Sequence, residues 1–481
     1  MAPEQAERPA DAAPRSRWPV PWPVSWPVPW PALAVLAGAA AAGGATAALG
    51  PGPGLAPAAG LVVATIGLWA TGALPESITA LGFFLLAMLL GVAGADVVFS
   101  GFAAAAVWLV FGGLVLARAV TRTGLGAWLA GWLTARLPRS YPGLIAGIVA
   151  LAGGLGFVLP STMGRVALLT PIVLALADRL GFPPGSKGRT GMALAAILGT
   201  YVICAAILPA NVANMVLAGA AETVHGIQLR YGPYLFLHFP VLGVLKGIAL
   251  VAVVCWLFAD RPAGAPDTDP PAPPGPEARR LALLLTATLA LWATDFLHGI
   301  SPAWIGLGAA WVCLLPGVAL VPADELGSRV NLTPLFYVAA ILGVAAVINA
   351  SGLGEALAGG LIAWLPLAPE ADAANYASLV GLGTGLGLVT AVPGIPAVLT
   401  PLAGDLAAAT GWPLETVLMT QVVAFSTIVL PYELPPLVVG MALAGVRLRD
   451  GARLTLVLAA VTVLVLVPLN YGWWRLTGWL G

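Results

Sequence analysis

Long apolar stretches separated by short polar segments run along most of this 481-residue chain. A helix rises 1.5 Å per residue, so about 20 apolar residues are needed to cross the roughly 30 Å hydrocarbon core of a bilayer. Stretches suited to crossing lie at residues 32–50, 57–74, 78–95, 103–121, 191–220, 234–258, 281–299, 303–321, 331–350, 418–445 and 454–472. The pattern therefore predicts an all-α polytopic membrane protein with about 11 transmembrane helices.

Two further apolar segments are each interrupted near the middle by Gly, Pro, Ser and Thr. Residues 141–180 contain GFVLPSTMG, and residues 373–410 contain VTAVPGIP. Proline removes a backbone hydrogen bond and clashes with the preceding turn, so a continuous spanning helix is disfavoured at these points. Both segments are predicted to be re-entrant hairpins whose tips stop inside the membrane.

The two halves of the chain resemble each other on either side of a Pro- and Asp-rich linker, residues 259–280. The stretch ILPANVANMV at 207–216 recurs as VLPYELPPLV at 429–438. Each half contains five spans and a hairpin, so the second copy is expected to run through the bilayer in the opposite direction. We therefore predict two inverted-topology repeats, 57–258 and 281–481, a plan found in secondary transporters with a substrate site near the midplane.

The N-terminal region lies outside this duplication. Residues 1–31 form a Trp/Pro-rich segment that is predicted to be cytoplasmic, and residues 32–56 contain a first transmembrane helix. Most Lys and Arg residues fall in segments that this topology places inside the cell, whereas Arg230 and Arg475 fall outside. The linker is likewise predicted to be cytoplasmic, and the chain is expected to lie in a bacterial inner membrane.

Composition narrows the range of partners and chemistry. The chain is 59% hydrophobic and only 9% charged, against roughly 25% charged in a soluble domain, so membrane lipid is the expected solvent. Its net charge of zero provides no basic field for nucleic acid. No nucleophile, base and metal set is visible, so neither an enzyme nor a tightly bound cofactor is predicted.

Four helix breaks are predicted to converge. Two are the hairpin tips, around 160–165 and 391–396, and two are proline-broken spans, around 209–214 and 431–436. Each break exposes helix N-termini, whose free N–H groups and partial positive charge suit carboxylate, phosphate or sulfate. The candidate substrate-binding residues at these breaks are Ser161, Thr162, Arg165, Asn211, Asn214, Thr390, Pro393, Glu433 and Pro435.

The same breaks offer oxygen atoms that suit a small cation. Side-chain oxygens of Thr162, Asn214 and Thr390 form a candidate Na+ site, because hard cations prefer oxygen ligands. Ser and Thr hydroxyls in membrane helices also bond to their own backbone, which is the alternative interpretation. The sequence therefore leaves open whether these side chains bind an ion or only satisfy the helix breaks.

Three charged residues fall at membrane depth. Arg165 follows the first hairpin tip and is expected to bind a substrate anion, or alternatively to pair with Glu433. Glu433 stands where the first half has Asn211, and it is expected to carry a proton or cation or to cap the broken helix. Lys246 is expected to snorkel to the interface or to contact the neighbouring scaffold.

Five stretches of the chain carry a family resemblance in their order and spacing. They are ATGALPESITALGFFLLAMLLGV (70–92), VWLVFGGLVLARAVTRTGLGAWLA (107–130), STMGRVALLTPIVLALADRLGF (161–182), WATDFLHGISPAWIGLG (292–308) and LFYVAAILGVAAVINASGLGEALAGGL (335–361). They resemble the divalent anion:sodium symporters of the ion transporter superfamily. The resemblance implies a homodimer that transports dicarboxylates, citrate or sulfate, with a transport domain moving in an elevator-like way against a scaffold.

The resemblance also implies paired Ser-Asn-Thr motifs at the hairpin tips, which bind sodium and substrate carboxylates. Here the motifs fall on Ser161-Thr162-Met163 and Ala391-Val392-Pro393, without asparagine in either. The chain thus resembles a divergent member, and coupling to Na+, coupling to H+ and exchange all remain open. The alternative function is a channel-like or sensory membrane protein without coupled transport.

Overall fold

The computed structural model describes residues 30–49, 55–134, 140–159, 161–261, 273–318 and 320–480. Within these residues the protein is all-helical, with no β-strand. Residues 1–29 of the predicted cytoplasmic segment 1–31 lie outside the described residues. Residues 262–272 of the linker and Pro160 of the first hairpin also lie outside them.

The helices of the first half are α1 (Trp30–Leu49), α2 (Leu55–Thr71), α3 (Glu76–Leu89), α4 (Ala95–Val98), α5 (Ser100–Ala103), α6 (Ala105–Arg122), α7 (Leu125–Thr134), α8 (Tyr141–Gly156), α9 (Thr162–Arg179), α10 (Lys187–Val202), α11 (Val212–His225), α12 (Tyr231–His238) and α13 (Lys246–Leu257). A π-helical stretch, Phe239–Leu245, joins α12 to α13. Two 3₁₀ turns, Cys204–Ala206 and Leu208–Ala210, separate α10 from α11.

The helices of the second half are α14 (Pro276–Ala293), α15 (Asp295–His298), α16 (Pro302–Leu314), α17 (Ala323–Ser328), α18 (Thr333–Ala350), α19 (Leu353–Trp364), α20 (Asp372–Gly387), α21 (Gly394–Leu399), α22 (Ala403–Thr410), α23 (Leu414–Phe425), α24 (Pro435–Ala444), α25 (Leu448–Val461) and α26 (Val467–Leu476). A 3₁₀ turn, Pro431–Glu433, precedes α24, and a π-helical stretch, Thr462–Leu466, joins α25 to α26.

Several helices have the length and composition of membrane spans. Five helical segments of the described chain are long and apolar enough to cross a bilayer: Ala105–Arg122, Lys187–Ala206, Tyr231–Leu257, Thr333–Ala350 and Leu448–Leu476. Shorter apolar helices of 10–17 residues accompany them. The all-helical polytopic class is confirmed, while the count of about 11 spans and the inverted repeats stay predictions.

The helices stop at the four interruptions that the sequence indicated. We name these the first tip (157–161, between α8 and α9), the first break (203–211, between α10 and α11), the second tip (388–393, between α20 and α21) and the second break (426–434, between α23 and α24). In corresponding parts of both halves the described chain therefore leaves the α-helical conformation. The re-entrant path of the two hairpins through a bilayer stays a prediction.

Helix α10 lies inside the fold and is buried from Gly191 to Val202. It contacts α8, α9 and α13 of its own half and α24 of the other half. A Cβ atom added at Gly440 of α24 would lie 2.8 Å from Cγ2 of Ile197, so a glycine is needed for this close approach. Small residues allow membrane helices to pack closely in this way. The two broken spans are therefore packed directly against each other.

Candidate functional site

Hydrogen bonds connect the two interruptions within each half, and one bond joins the helix ends next to the two breaks. Arg165 links the first tip to the first break. The hydroxyl of Tyr201, at the end of α10, donates to the carbonyl of Phe425 at the second break, at 2.8 Å. At the second tip the backbone N–H of Val392 donates to the carbonyl of Glu433, at 2.9 Å. The structure thus brings together all four predicted interruptions.

Arg165 lies in the first turn of α9 and is fully buried. Its Nη1 donates to the carbonyl of Leu159 in the first tip. Its Nη2 donates to the carbonyls of Thr200 and Ala210, each at 2.8 Å, and to the hydroxyl of Thr162 at 3.1 Å. Carbonyls at helix ends lack partners within the helix, so a buried donor is needed there. Arg165 therefore closes the first tip against the first break.

The alternative pairing of Arg165 with Glu433 is not formed. Among the described residues, no carboxylate oxygen lies within 4.0 Å of the Arg165 guanidinium. Glu433 is 1% exposed, and its carboxylate accepts the backbone N–H groups of Leu430 at 2.7 Å and Val429 at 3.3 Å. Glu433 was expected to carry a proton or cation or to cap the broken helix, and these two hydrogen bonds correspond to the capping role.

Asn211 and Asn214 hold the first break. Oδ1 of Asn211 accepts the backbone N–H of Asn214 at 3.0 Å and caps α11, while Nδ2 donates to the carbonyl of Cys204 at 3.1 Å. Nδ2 of Asn214 donates to the carbonyls of Ile207 at 2.8 Å and Ala205 at 3.2 Å. Oδ1 of Asn214 is buried and has no hydrogen-bond partner among the described residues. This oxygen is therefore a free acceptor inside the site.

The remaining predicted residues stand at helix starts. Ser161 caps α9 by accepting a backbone N–H of its first turn. Pro393 precedes α21 and Pro435 begins α24. Proline suits the start of a helix because the N–H groups there have no partner within the helix. The hydroxyl of Thr390 donates to the carbonyl of Leu386 at 3.3 Å. Thr390 therefore belongs to the second tip, and its grouping with Thr162 and Asn214 around Na+ stays a prediction.

Lys246 is the site residue that the sequence interpretation missed. It is 1% exposed, and its Nζ donates to the carbonyl of Ser426 at 2.6 Å and to the hydroxyl of Ser426 at 3.0 Å. The expectation that Lys246 snorkels to the interface is wrong, because its side chain is buried and directed into the second break. The alternative, contact with a neighbouring scaffold, stays a prediction. The available signal was a lone charge in an apolar run, the same signal that identified Arg165.

A cavity of about 580 Å³ lies beside the first break. It is lined by the exposed residues Arg230 and Glu415 and by the buried residues Tyr234 and Met419, among others. The hydroxyl of Tyr234 donates to the carbonyl of Ala205 in the first break, at 2.8 Å. Through Tyr234 the cavity lining therefore contacts the backbone of the first break.

The family model for citrate transporters matches residues 66–429, which is well over half of the chain. The chain belongs to the citrate transporter family. The predicted resemblance is confirmed at the level of the ion transporter superfamily. This citrate transporter family member is a multi-pass membrane protein for secondary transport of small anions, and it is not an enzyme.

Individual relatives bear the names of membrane proteins or transporters. A protein described as a membrane protein in Cupriavidus necator is 23% identical over 401 residues, covering 79% of this chain and 77% of that protein. An uncharacterized transporter of Mycobacterium tuberculosis is 26% identical over 338 residues, covering 66% of this chain and 73% of that protein. A putative malate transporter of Bacillus subtilis is 26% identical over 174 residues, covering 35% of this chain and 36% of that protein.

Solved transporter structures share the fold. The Alcanivorax borkumensis YdaH transporter matches with a TM-score of 0.53 and 16% identity, covering 79% of this chain and 87% of that one. Neisseria gonorrhoeae MtrF, from a class of antimetabolite efflux pumps, matches with a TM-score of 0.54 and 15% identity, covering 78% of this chain and 82% of that one. At these identities the likeness concerns the fold alone.

Proposed function

We propose that this citrate transporter family member carries di- or tricarboxylate-like anions across the bacterial inner membrane, with sulfate and sulfonates as further candidates. Transport proceeds by elevator-type alternating access. The supporting observation is the hydrogen-bonded group of four helix interruptions, which contains buried cations and helix N-termini. Interrupted helices provide N–H groups and positive partial charge for anionic solutes near the midplane of transporters.

The anion is held at the starts of α9 and α11. The hydroxyls of Ser161 and Thr162 can each donate a hydrogen bond to the anion, because in the protein they accept bonds and keep their own proton free. The free Oδ1 of Asn214 is an acceptor, so it can bind only a hydroxyl or protonated carboxyl group of the solute. Arg165 directs its Nη donors to carbonyls, so it contributes positive charge from behind the anion instead of a direct grip. Asn211 caps the start of α11. Thr390 and Pro393 of the second tip, and Pro435 next to the second break, complete the proposed binding site.

Glu433 is the proposed coupling group for H+. Its carboxylate closes the second break by accepting two backbone N–H groups, and protonation removes part of that acceptor capacity. Proton binding therefore loosens the turn that leads into α24. Na+ held by Thr162, Asn214 and Thr390 is the second coupling mode, and exchange of one anion for another is the third.

Counterflow in proteoliposomes tests the transport function. Vesicles preloaded with unlabelled citrate, malate, succinate, sulfate or a sulfonate are diluted into the corresponding labelled anion. We expect saturable, transient accumulation for at least one di- or tricarboxylate. Non-saturable flux without accumulation from any preloaded anion would indicate the channel-like alternative and contradict the proposal, and an absence of flux for the whole panel would do the same.

The coupling role is tested with Glu433→Gln against a matched control. Glu355→Gln is the control because Glu355 is exposed at the start of α19, away from the four interruptions. If protons couple through Glu433, an inward proton gradient accelerates uptake by the parent and the control but leaves the Glu433→Gln rate unchanged. Equal acceleration of all three proteins would remove Glu433 from the coupling mechanism.

The working assembly is a homodimer with a cytoplasmic N-terminus. An elevator needs a fixed scaffold against which the transport domain moves, and a second protomer supplies such an anchor. Light scattering of the detergent-solubilised protein is expected to give twice the 48.6 kDa chain mass after correction for detergent. A monomeric mass under conditions that preserve counterflow activity would contradict the dimer.

A further inference from the structure

The second break contains a buried cationic side chain, Lys246. Lys246 begins α13 directly after the π-helical stretch, and its ammonium group lies 2.6 Å from the carbonyl oxygen of Ser426. Ser426 is itself fully buried and directly follows α23. Lys246 is therefore a positive charge from the first half placed at the carbonyl end of a broken helix in the second half.

The carbonyl end of a helix has a negative partial charge and attracts cations. In transporters with interrupted helices, such carbonyl ends and the unwound backbone next to them coordinate the coupling Na+ or H+. Here the carbonyls at the end of α23 already have donors, because Lys246 binds Ser426 and Tyr201 binds Phe425. The place that a metal cation would occupy at the second break is filled by a side chain.

At the first break, too, a cationic side chain donates to the backbone carbonyls. Arg165 donates to Thr200 near the end of α10 and to Ala210 before α11. Within the described part of the chain, no carboxylate oxygen lies within 4.0 Å of the Arg165 or Lys246 charge. Carbonyl oxygens contact both side chains, and a bound anion can supply the negative charge that both lack among these residues.

We propose that Lys246 and Arg165 are built-in cations that take the place of a metal ion at the two breaks. A bound anion is balanced by these fixed charges, so its transport needs no Na+, and Lys246 is the residue that excludes Na+ from the second break. This inference rests on the proposed anion transport and selects against its Na+ mode. It adds Lys246 to the residues that determine how the anion is bound.

The transport test uses Lys246→Ala, with Lys187→Ala as the matched control. Lys187 is the other lysine of the chain and is exposed at the start of α10. We expect the parent and the control to exchange anions equally well in Na+, K+ or choline buffers. Lys246→Ala is expected to raise the KM at least tenfold in choline, and Na+ or ethylamine is expected to restore part of the loss. Lys246→Arg should retain an affinity close to the parent value.

A binding measurement tests the same inference without transport. Thermal unfolding of the purified protein is followed in NaCl, KCl and choline chloride at equal ionic strength. The parent and Lys187→Ala are expected to show no Na+-specific rise in Tm, whereas Lys246→Ala gains one because the vacated carbonyl end can bind the metal. A Lys246→Ala protein that fails to fold is replaced by Lys246→Met, for which we expect no rescue by amine or Na+.

Strict Na+ dependence of exchange by the parent, or a Na+-specific rise in its Tm, would overturn the inference while leaving anion transport intact. Equal KM values for Lys246→Ala and the parent would overturn the assigned role of Lys246. Absence of exchange for every anion would instead contradict the proposed function, and the unfolding experiment would still decide whether Na+ binds.

Discussion

The first and second breaks share a backbone design but are closed by different chemistry. The first is closed from within its own half by Arg165, Asn211 and Asn214. The second is closed by Lys246 and Tyr201 from the other half, together with its own Glu433. The first break is thus a self-contained unit, whereas closure of the second depends on how the two halves pack. The carboxylate that we propose for proton coupling therefore lies at the break whose closure depends on the packing of the halves.

The largest expected effect is at the self-contained break. Arg165→Leu leaves the carbonyls of Leu159, Thr200 and Ala210 buried without a donor. Each unpaired buried group costs about 1–3 kcal/mol, so the free energy of unfolding should fall by roughly 3 kcal/mol or more. Thermal unfolding in detergent measures the loss. Arg179→Leu, in the exposed last turn of the same helix, is the matched control, and equal losses for the two variants would refute this account.

A smaller effect is expected where the two halves meet. Tyr201→Phe removes one hydrogen bond and leaves the buried Phe425 carbonyl without its donor, so the expected loss is about 1 kcal/mol. Tyr432→Phe removes a bond of similar length to Leu388, but both residues are exposed, so a smaller loss is expected. Chemical denaturation compares the two. A larger loss for Tyr432→Phe would show that the contact between the halves contributes little.

The smallest effect is expected at an ion pair outside both breaks. Nε of Arg118 donates to the Glu325 carboxylate at 2.6 Å, and this hydrogen bond holds the pKa of Glu325 below its ordinary value. A lowered folded-state pKa contributes stability above the ordinary carboxyl pKa of about 4.3, and this stability is lost as pH falls through the folded-state pKa. Glu325→Gln should therefore lower Tm slightly at neutral pH. A Tm difference that persists unchanged in acid would argue against the ion pair.

The interruptions were predictable because their cause is local. Proline and glycine act on the backbone within a turn, so the sequence alone located the tips and breaks to within a few residues. The partners of the charged residues were not predictable in this way. The sequence offered a pair between Arg165 and Glu433 as the alternative to anion binding, but each side chain binds backbone groups at its own break. Buried helix ends compete for donors and acceptors as strongly as opposite charges do.

Lys246 shows the limit of the sequence interpretation most clearly. Its position in an apolar run was visible, but a long flexible side chain can reach an interface or a buried carbonyl with equal ease. The choice depends on the packing around α13, which places Ser426, distant in the chain, within reach of the ammonium group. No pattern within a window of residues contains that information.

The amino-acid sequence by itself determined the solvent of this protein, its helical class and the places where its helices stop. These follow from apolar length and from proline, which act over a few residues. Only the tertiary structure decided which carbonyl each buried cation meets, and that the second break is closed by the first half. The contact of Lys246 with Ser426 joins residues 180 positions apart, and those of Arg165 with Thr200 and Ala210 join residues 35 and 45 positions apart, so they exist only after the helices have packed.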